Sequence, residues 1–198
     1  MKLEKQIKFI CEIDKLKSVF RQTYLMDKSR KENDAEHSWH LSVMVFLLKE
    51  YANEDFDLQK VIQMVLIHDL VEIIVGDVLI YDTEARKEQA EKEQKAAVEI
   101  FSQLPDEQGN EFLSIWREFE EGETIESRFA KSLDRLQPIL HNFYTEGKAW
   151  KEHQIKVSQV IESNQHIKNG SKELWEFTMN LINTAVERNY LINDLEKV

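Results

Sequence analysis

Histidine and carboxylate side chains lie close together in two segments of this sequence. His37 stands at the start of one helical pattern, and the adjacent pair His68 and Asp69 lies inside the next, strongly apolar one. Imidazole and carboxylate groups suit a divalent metal ion with open coordination positions. A charged Asp69 among apolar neighbours is costly to bury alone, and a bound cation would offset that cost. The pattern therefore indicates a metal site.

A His-Asp pair in a helix is, on its own, more often a surface pair or a capped polar group. Further features favour a site here. Glu72 follows His68 by four residues and Asp69 by three, so it lies on the same side of the helix. Asp77 comes directly after Gly76, where the chain can turn back over the site. Together these features predict a site rather than an isolated pair.

The elements that must position these side chains are predicted to be helices. The 198 residues include only 5 Gly and 2 Pro, too few for the many tight turns of an all-β fold. Apolar spacing predicts no confident strand, and we expect an all-α bundle of six to eight helices. Asp34 is the expected N-cap of the helix carrying His37, Gly76 the expected C-cap after Val75, and Pro138 should kink or break its helix. The predicted helices cover residues 3–20, 34–51, 58–75, 84–104, 107–120, 124–145, 149–167 and 171–191, with a loop over 21–33.

Two consecutive helices joined by a short turn usually pack antiparallel. His37 lies near the start of the first helix and His68 beyond the middle of the second. These positions are level with each other in an antiparallel pair. The metal site is therefore expected at one end of this helix pair.

The net charge disfavours two kinds of partner, and other features of the sequence indicate the location of the protein. The net charge of -11 disfavours binding to nucleic acid polymers and to anionic membranes. There is no apolar run of 18 residues, and the N-terminal residues lack the apolar core of a signal peptide. The single cysteine, Cys11, excludes an internal disulfide and fits a reducing compartment. We expect a cytoplasmic protein.

Three motifs resemble one family. Glu-His-Ser-Trp at 36–39, His-Asp-Leu-Val-Glu at 68–72 and Gly-Asp-Val at 76–78 are similar to those of the HD-domain phosphohydrolases. The nearest branch contains the bacterial 5'-deoxynucleotidases and the eukaryotic HD-domain-containing protein 2. The resemblance is densest over 15–82 and continues more loosely to about 145. It implies one HD domain over 1–198.

Within that domain, the resemblance implies a metal-site core at about 20–145, with C-terminal helices at 149–191 packed on it. It also implies that His37, His68 and Asp69 are metal ligands, together with an aspartate on a later helix. Asp134 is the best match for this fourth ligand. The alternative for Asp134 is a surface ion pair with Lys131 or Arg135.

The remaining implied roles concern catalysis and the substrate. By resemblance, Glu72 and Asp77 are catalytic, and Arg21 holds the substrate phosphate, as a guanidinium can through two parallel hydrogen bonds. The alternatives are a hydrogen-bond acceptor behind the ligands for Glu72 and a loop cap for Asp77. Gln22 stands where the deoxynucleotidase branch commonly has Trp, and this departure from the family pattern concerns the contact to the base or sugar.

The expected function is that of a phosphomonoesterase with one divalent metal. By resemblance it converts (deoxy)ribonucleoside 5'-monophosphates to nucleoside and phosphate, and it forms a homodimer. Mn, Co, Mg, Fe, Ni and Zn all stay open as the metal. The alternatives are a hydrolase for another nucleotide, of the dNTP or alarmone type, and a catalytically silent HD domain that binds a ligand or acts as a scaffold.

Overall fold

The computed structural model describes residues 1–81 and 83–195, without the side chains of 83–88. Over these residues the chain is mostly helical, and eight of its helices have eight or more residues, which confirms the predicted all-α class. None of the helices described is long and apolar enough to cross a bilayer. The helices are α1 Lys2–Ile13, α2 Asp34–Leu48, α3 Leu58–Ile67, α4 Glu72–Val75, α5 Thr83–Phe101, α6 Asp106–Glu121, α7 Ile125–Tyr144, α8 Lys148–Glu152, α9 Val157–Asn164, α10 Ile167–Gly170 and α11 Lys172–Glu187.

The predicted loop at 21–33 is wrong, because this segment forms a small hairpin. Strand β1, Phe20–Tyr24, pairs antiparallel with β2, Lys31–Asn33. The sequence lacks the alternation of apolar and polar residues that signals a strand. The hairpin instead depends on tertiary contacts, since β1 packs against α7 and α8. The helix predicted over 3–20 therefore ends too late: its helical part stops at Ser18, and the hairpin begins at Phe20.

The helix that carries His37 begins one residue earlier than a cap at Asp34 would allow. Asn33 is the N-cap: its side chain accepts a hydrogen bond from the Glu36 backbone N–H at 2.9 Å, and the Glu36 carboxylate accepts one from the Asn33 N–H at 3.2 Å. This reciprocal pair satisfies two backbone donors of the first turn. Asp34 is thereby the first residue of α2 and is fully buried. The prediction of Asp34 as the cap was wrong.

The helix predicted over 58–75 is interrupted at His68 and Asp69, the two residues expected to bind metal. Helix α3 ends at Ile67, His68–Val71 form a 3-10 turn, and α4 follows. Gly76 ends α4 with a φ of 77°, as predicted for a glycine C-cap.

Two other predicted helices also differ from the structure. The predicted break at Pro138 does not occur, because α7 continues through this residue, although proline cannot donate a hydrogen bond to the carbonyl of Asp134. The alternative of a kink there stays a prediction. The helix predicted over 149–167 is divided into α8 and α9.

Two apolar clusters hold these elements together. The larger one lies between α2, α3, α7 and the C-terminal helices and contains Leu41, Val65, Leu133, Val160 and Ile182. The smaller one joins α1, α5 and α6 to the 3-10 turn after α3 and includes Trp116. The segment that carries His68 and Asp69 therefore runs between both clusters, which fixes its backbone.

Candidate metal centre

Four of the sequence-predicted site residues meet at one point. His37 comes from α2, His68 and Asp69 from the 3-10 turn, and Asp134 from α7. His37 Nε2 lies 3.0 Å from Asp134 Oδ1 and 3.9 Å from Asp69 Oδ2. His68 Nε2 lies 3.2 Å from Asp69 Oδ1 and 3.6 Å from Asp134 Oδ1. We call these four residues the candidate metal centre.

His68 Nε2 and Asp69 Oδ1 lie 3.2 Å apart, although the 3-10 turn spreads the two side chains around its axis. With 3.0 residues per turn, adjacent side chains lie about 120° apart, more than the 100° of the α-helix expected here. His68 Nδ1 lies 3.1 Å from the carbonyl oxygen of Val65 and donates to it. This bond leaves His68 Nε2 as the lone-pair nitrogen that faces the centre, and Nε2 is buried without a hydrogen-bond partner.

The surroundings of His37 fit a cation. Gln137 Oε1 lies 3.1 Å from its Nδ1, and Asp134 Oδ1 lies 3.0 Å from its Nε2. Burial, followed by the positive charge of Arg21, lowers the pKa of His37 to about 4, so the ring is neutral and has one N–H to donate. One of the two oxygens therefore faces a lone pair. A cation between His37 Nε2 and Asp134 would satisfy both groups.

Buried carboxylates around the centre also fit a cation. Burial, and next the charge of Asp69, raises the pKa of Asp34 to about 8 and that of Glu72 to about 10. Burial by itself lowers the pKa of Arg21, but the nearby carboxylates, Asp69 first, outweigh it and raise that pKa. Besides burial, the negative charge of Asp69 contributes to all three shifts, and a divalent ion would offset that charge.

Arg21 lies beside the centre, on β1 rather than at the end of the first helix. Its Nη1 is 2.9 Å from Asp69 Oδ2, 3.3 Å from Asp34 Oδ1 and 4.0 Å from Asp77 Oδ1. Glu72 begins α4, and its Oε2 is buried without a hydrogen-bond partner. The structure thus brings the three other predicted residues, Arg21, Glu72 and Asp77, to the same place.

A cavity of about 150 Å³ opens over these side chains. Its polar wall includes Arg21, Glu72 and Asp134. The apolar part of its wall includes Ile139 and Trp150. A cavity lined by both charged and apolar side chains suits a small ligand that carries an anionic group.

The sequence patterns did not predict a place at this site for some of the residues found there. The sequence predicts Asp34 only as a helix cap. Glu32 and Gln137 were not singled out at all, yet both are buried, at 2% and 0% exposure. No spacing rule could find them, because Gln137 contacts Glu32 across 105 residues of chain.

Comparisons with known proteins find a matching family model and several relatives. A family model described as HD domain matches residues 13–175. The 5'-deoxynucleotidase HDDC2 of Dictyostelium discoideum is 31% identical over 140 residues, which cover 68% of this chain and 74% of that protein. The protein of the same name from Xenopus laevis is 34% identical over 137 residues, which cover 68% of this chain and 66% of that protein.

A solved structure is similar over almost the full length. It comes from Magnetospirillum magnetotacticum MS-1 and is described as a predicted metal-dependent phosphohydrolase. It is 48% identical, has a TM-score of 0.91, and the match covers 96% of this chain and 98% of that one. The helical arrangement around the candidate metal centre is therefore shared with that protein.

Proposed function

This chain belongs to the HD domain family, and on that premise we propose that it is a divalent-metal-dependent phosphomonoesterase. Its proposed reaction is the hydrolysis of (deoxy)ribonucleoside 5'-monophosphates to nucleoside and phosphate. The observation that carries this proposal is the meeting of two imidazoles and two carboxylates beside Arg21, at a cavity lined by charged and apolar side chains. Relatives named 5'-deoxynucleotidase support the substrate class.

We propose His37, His68, Asp69 and Asp134 as the metal ligands. The ligand atoms of the first three lie within 4.8 Å of one another, and Asp134 Oδ1 lies between the two imidazoles. Mixed imidazole and carboxylate ligands accept Mn, Co, Mg, Fe, Ni or Zn, so the donor set does not select one metal. When bound, the ion supplies Lewis-acid activation of water and of the phosphoryl group.

The chain's own residues perform the remaining steps in this proposal. Arg21 holds the phosphate through its guanidinium, which several carboxylates already orient toward the centre. Glu72 and Asp77 transfer the proton, one at the attacking water and the other at the leaving alcohol. The apolar wall with Trp150 receives the nucleoside and keeps water away from it.

Release of phosphate, pyrophosphate or triphosphate from substrate by the purified protein tests this function. The protein is stripped of metal, restored with single metals, and assayed with deoxy- and ribonucleoside monophosphates, triphosphates and an alarmone. We expect release from a monophosphate with at least one metal. Release only from triphosphates or the alarmone would replace the substrate class. No release from any substrate would contradict the enzyme assignment and favour the alternative of a catalytically silent HD domain.

Three further features of the whole protein remain proposals. We propose that 1–198 form a single HD domain, because the C-terminal helices contribute Val160 and Ile182 to the larger apolar cluster. We propose a cytoplasmic location, which fits one exposed free cysteine, Cys11. We also propose a homodimer, without nucleic acid or membrane partners, and size measurement by light scattering tests the dimer.

A further inference from the structure

Gln137 joins the candidate metal centre to a second group of polar side chains behind it. It lies on α7, three residues after Asp134, and is fully buried. Its Oε1 is 3.1 Å from His37 Nδ1, and its Nε2 is 2.7 Å from Glu32 Oε1. Nε2 also lies 3.1 Å from His141 Nε2. One amide therefore connects β2, α2 and α7.

The neighbours of Gln137 determine which way its amide points. A carboxylate oxygen at 2.7 Å requires an N–H donor, so the amide nitrogen faces Glu32 and the carbonyl oxygen faces His37. The reversed amide would place an acceptor against an acceptor in a buried site, which is costly. Since Glu32 is 2% exposed, water does not replace this contact.

This fixed amide has a consequence for His37. The carbonyl oxygen of Gln137 can only accept a hydrogen bond, so His37 Nδ1 must carry the ring proton. His37 Nε2 then keeps its lone pair, and Nε2 is the atom that faces Asp69 and Asp134. We propose that Gln137, held by Glu32, is a positioning residue that fixes the tautomer of His37 for metal binding.

The same neighbourhood could be mistaken for another metal site. Glu32, His40 and His141 offer ligand atoms within 4.8 Å of one another. The amide nitrogen of Gln137 already lies among them, 2.7 Å from Glu32, 3.3 Å from His40 and 3.1 Å from His141. A cation there would have to displace a hydrogen-bond donor. We therefore expect one metal per chain and call Glu32, His40, Gln137 and His141 the enclosed polar cluster.

The variant Gln137→Met tests the positioning role, since it keeps the length of the side chain and removes the acceptor. Zinc affinity of the full chain is measured at pH 8 by competition with a chromogenic chelator. We expect binding weaker by about 10–100-fold, the usual effect of removing a partner behind a ligand. The matched control is Ser132→Ala, which removes two buried hydrogen bonds from the same helix without touching His37. It should lower thermal stability and leave zinc affinity unchanged.

An exchanged pair separates positioning from packing. In the double variant Gln137→Glu with Glu32→Gln, a carboxylate accepts from His37 Nδ1 and an amide faces it from position 32. Volume and total charge are unchanged, so we expect about wild-type zinc affinity. Affinity as low as that of Gln137→Met in the exchanged pair would overturn the proposal.

Nuclear magnetic resonance of the zinc-loaded protein gives a readout independent of activity. Imidazole nitrogen spectra should show His37 with a protonated Nδ1 in the wild type and the exchanged pair. A His37 ring protonated at Nε2 instead would contradict the proposal.

The inference rests on the metal site proposed above, and the outcomes distinguish the two. If the wild type binds no zinc, manganese or cobalt, the metal site itself fails. If the wild type binds zinc and Gln137→Met binds it equally well, only the positioning role fails. A second zinc ion per chain that is lost in the variant His141→Ala would show that the enclosed polar cluster binds metal, which also contradicts the role of Gln137.

Discussion

His68 and His37 present the same kind of nitrogen to the candidate metal centre, but the chain holds them by different means. His68 donates from Nδ1 to the carbonyl of Val65, three residues earlier in its own segment. His37 contacts the side chain of Gln137, 100 residues later. The first partner is a backbone atom that every residue type provides. The second partner requires an amide that a buried carboxylate holds in one orientation.

Because their partners differ, different substitutions can disturb the hydrogen bond that holds each histidine. No side-chain substitution at Val65 removes the carbonyl that accepts from His68, so this contact depends only on the local backbone. The contact of His37 depends on Gln137 and, behind it, on Glu32. Substitutions at Gln137 or Glu32 can therefore weaken metal binding by His37 without changing the contact between His68 and Val65.

The largest expected effect comes from removing the group that both histidines face. In Asp134→Asn, the charge beside both Nε2 atoms is lost. Because even partners behind a ligand contribute about 10–100-fold, we expect phosphate release to fall by more than about 100-fold. Zinc content measured by atomic emission should fall with it. The control Asp106→Asn, an exposed carboxylate on α6, should keep full activity; an active Asp134→Asn protein would remove Asp134 from the site.

Removing the metal should lower the thermal stability of the protein, because both histidines then lose the ion that they bind. A metal at 100 times its dissociation constant stabilises the fold by about 2.7 kcal/mol, or about 5–10 °C in melting temperature at this chain length. Scanning calorimetry with and without a chelator measures this shift. Asp134→Asn should show no such shift. An equal shift in that variant would mean that the stabilising ion binds elsewhere.

Replacing Arg21 should weaken substrate binding and leave the hydrogen bonds that hold both histidines in place. In Arg21→Gln, the charge-assisted hydrogen bonds to phosphate are lost, which we expect to lower kcat/KM by about 10–150-fold, equivalent to about 1.5–3 kcal/mol. Zinc affinity should be equal or tighter, because a positive charge 2.9 Å from Asp69 has gone. Steady-state kinetics and chelator competition measure the two effects. Weaker zinc binding would mean that Arg21 supports the centre rather than the substrate.

The smallest expected effect is at the edge of the enclosed polar cluster. His40 is only half-buried, and its 3.3 Å contact with Gln137 is the longest around that amide. In His40→Ala we expect zinc affinity to change by less than about 1 kcal/mol, as for one weak hydrogen bond. A loss as large as that in Gln137→Met would show that His40, and not Glu32, holds the amide.

Much of the fold followed from local patterns. Apolar spacing and the scarcity of Gly and Pro predicted the helices, and Gly76 marked a true helix end. The hairpin at 20–33 was missed, since no strand pattern marks it and its support comes from α7 and α8. The 3-10 turn at His68–Val71 was also missed, because a short turn of this type has the same apolar residues as an α-helix.

The sequence resemblance to HD-domain phosphohydrolases is confirmed by the family match. The roles of the seven predicted site residues stay predictions, although the structure brings all seven to one place. Asp34 shows why local rules can mislead there. Asp is a preferred N-cap residue, but Asn33 takes the cap, and Asp34 is buried beside Arg21.

The sequence by itself determined which residue types could bind a metal and which segments carry them. It did so because ligand chemistry and helical periodicity are local properties, readable within a few residues. It did not predict the partner of His68, although that carbonyl lies only three residues away, because the 3-10 turn that begins at His68 was expected to be α-helix. Only the tertiary structure decided the partner of His37, because Gln137 and Glu32 meet it through the packing of β2 and α7. A buried hydrogen bond across 100 residues leaves no pattern in one sequence.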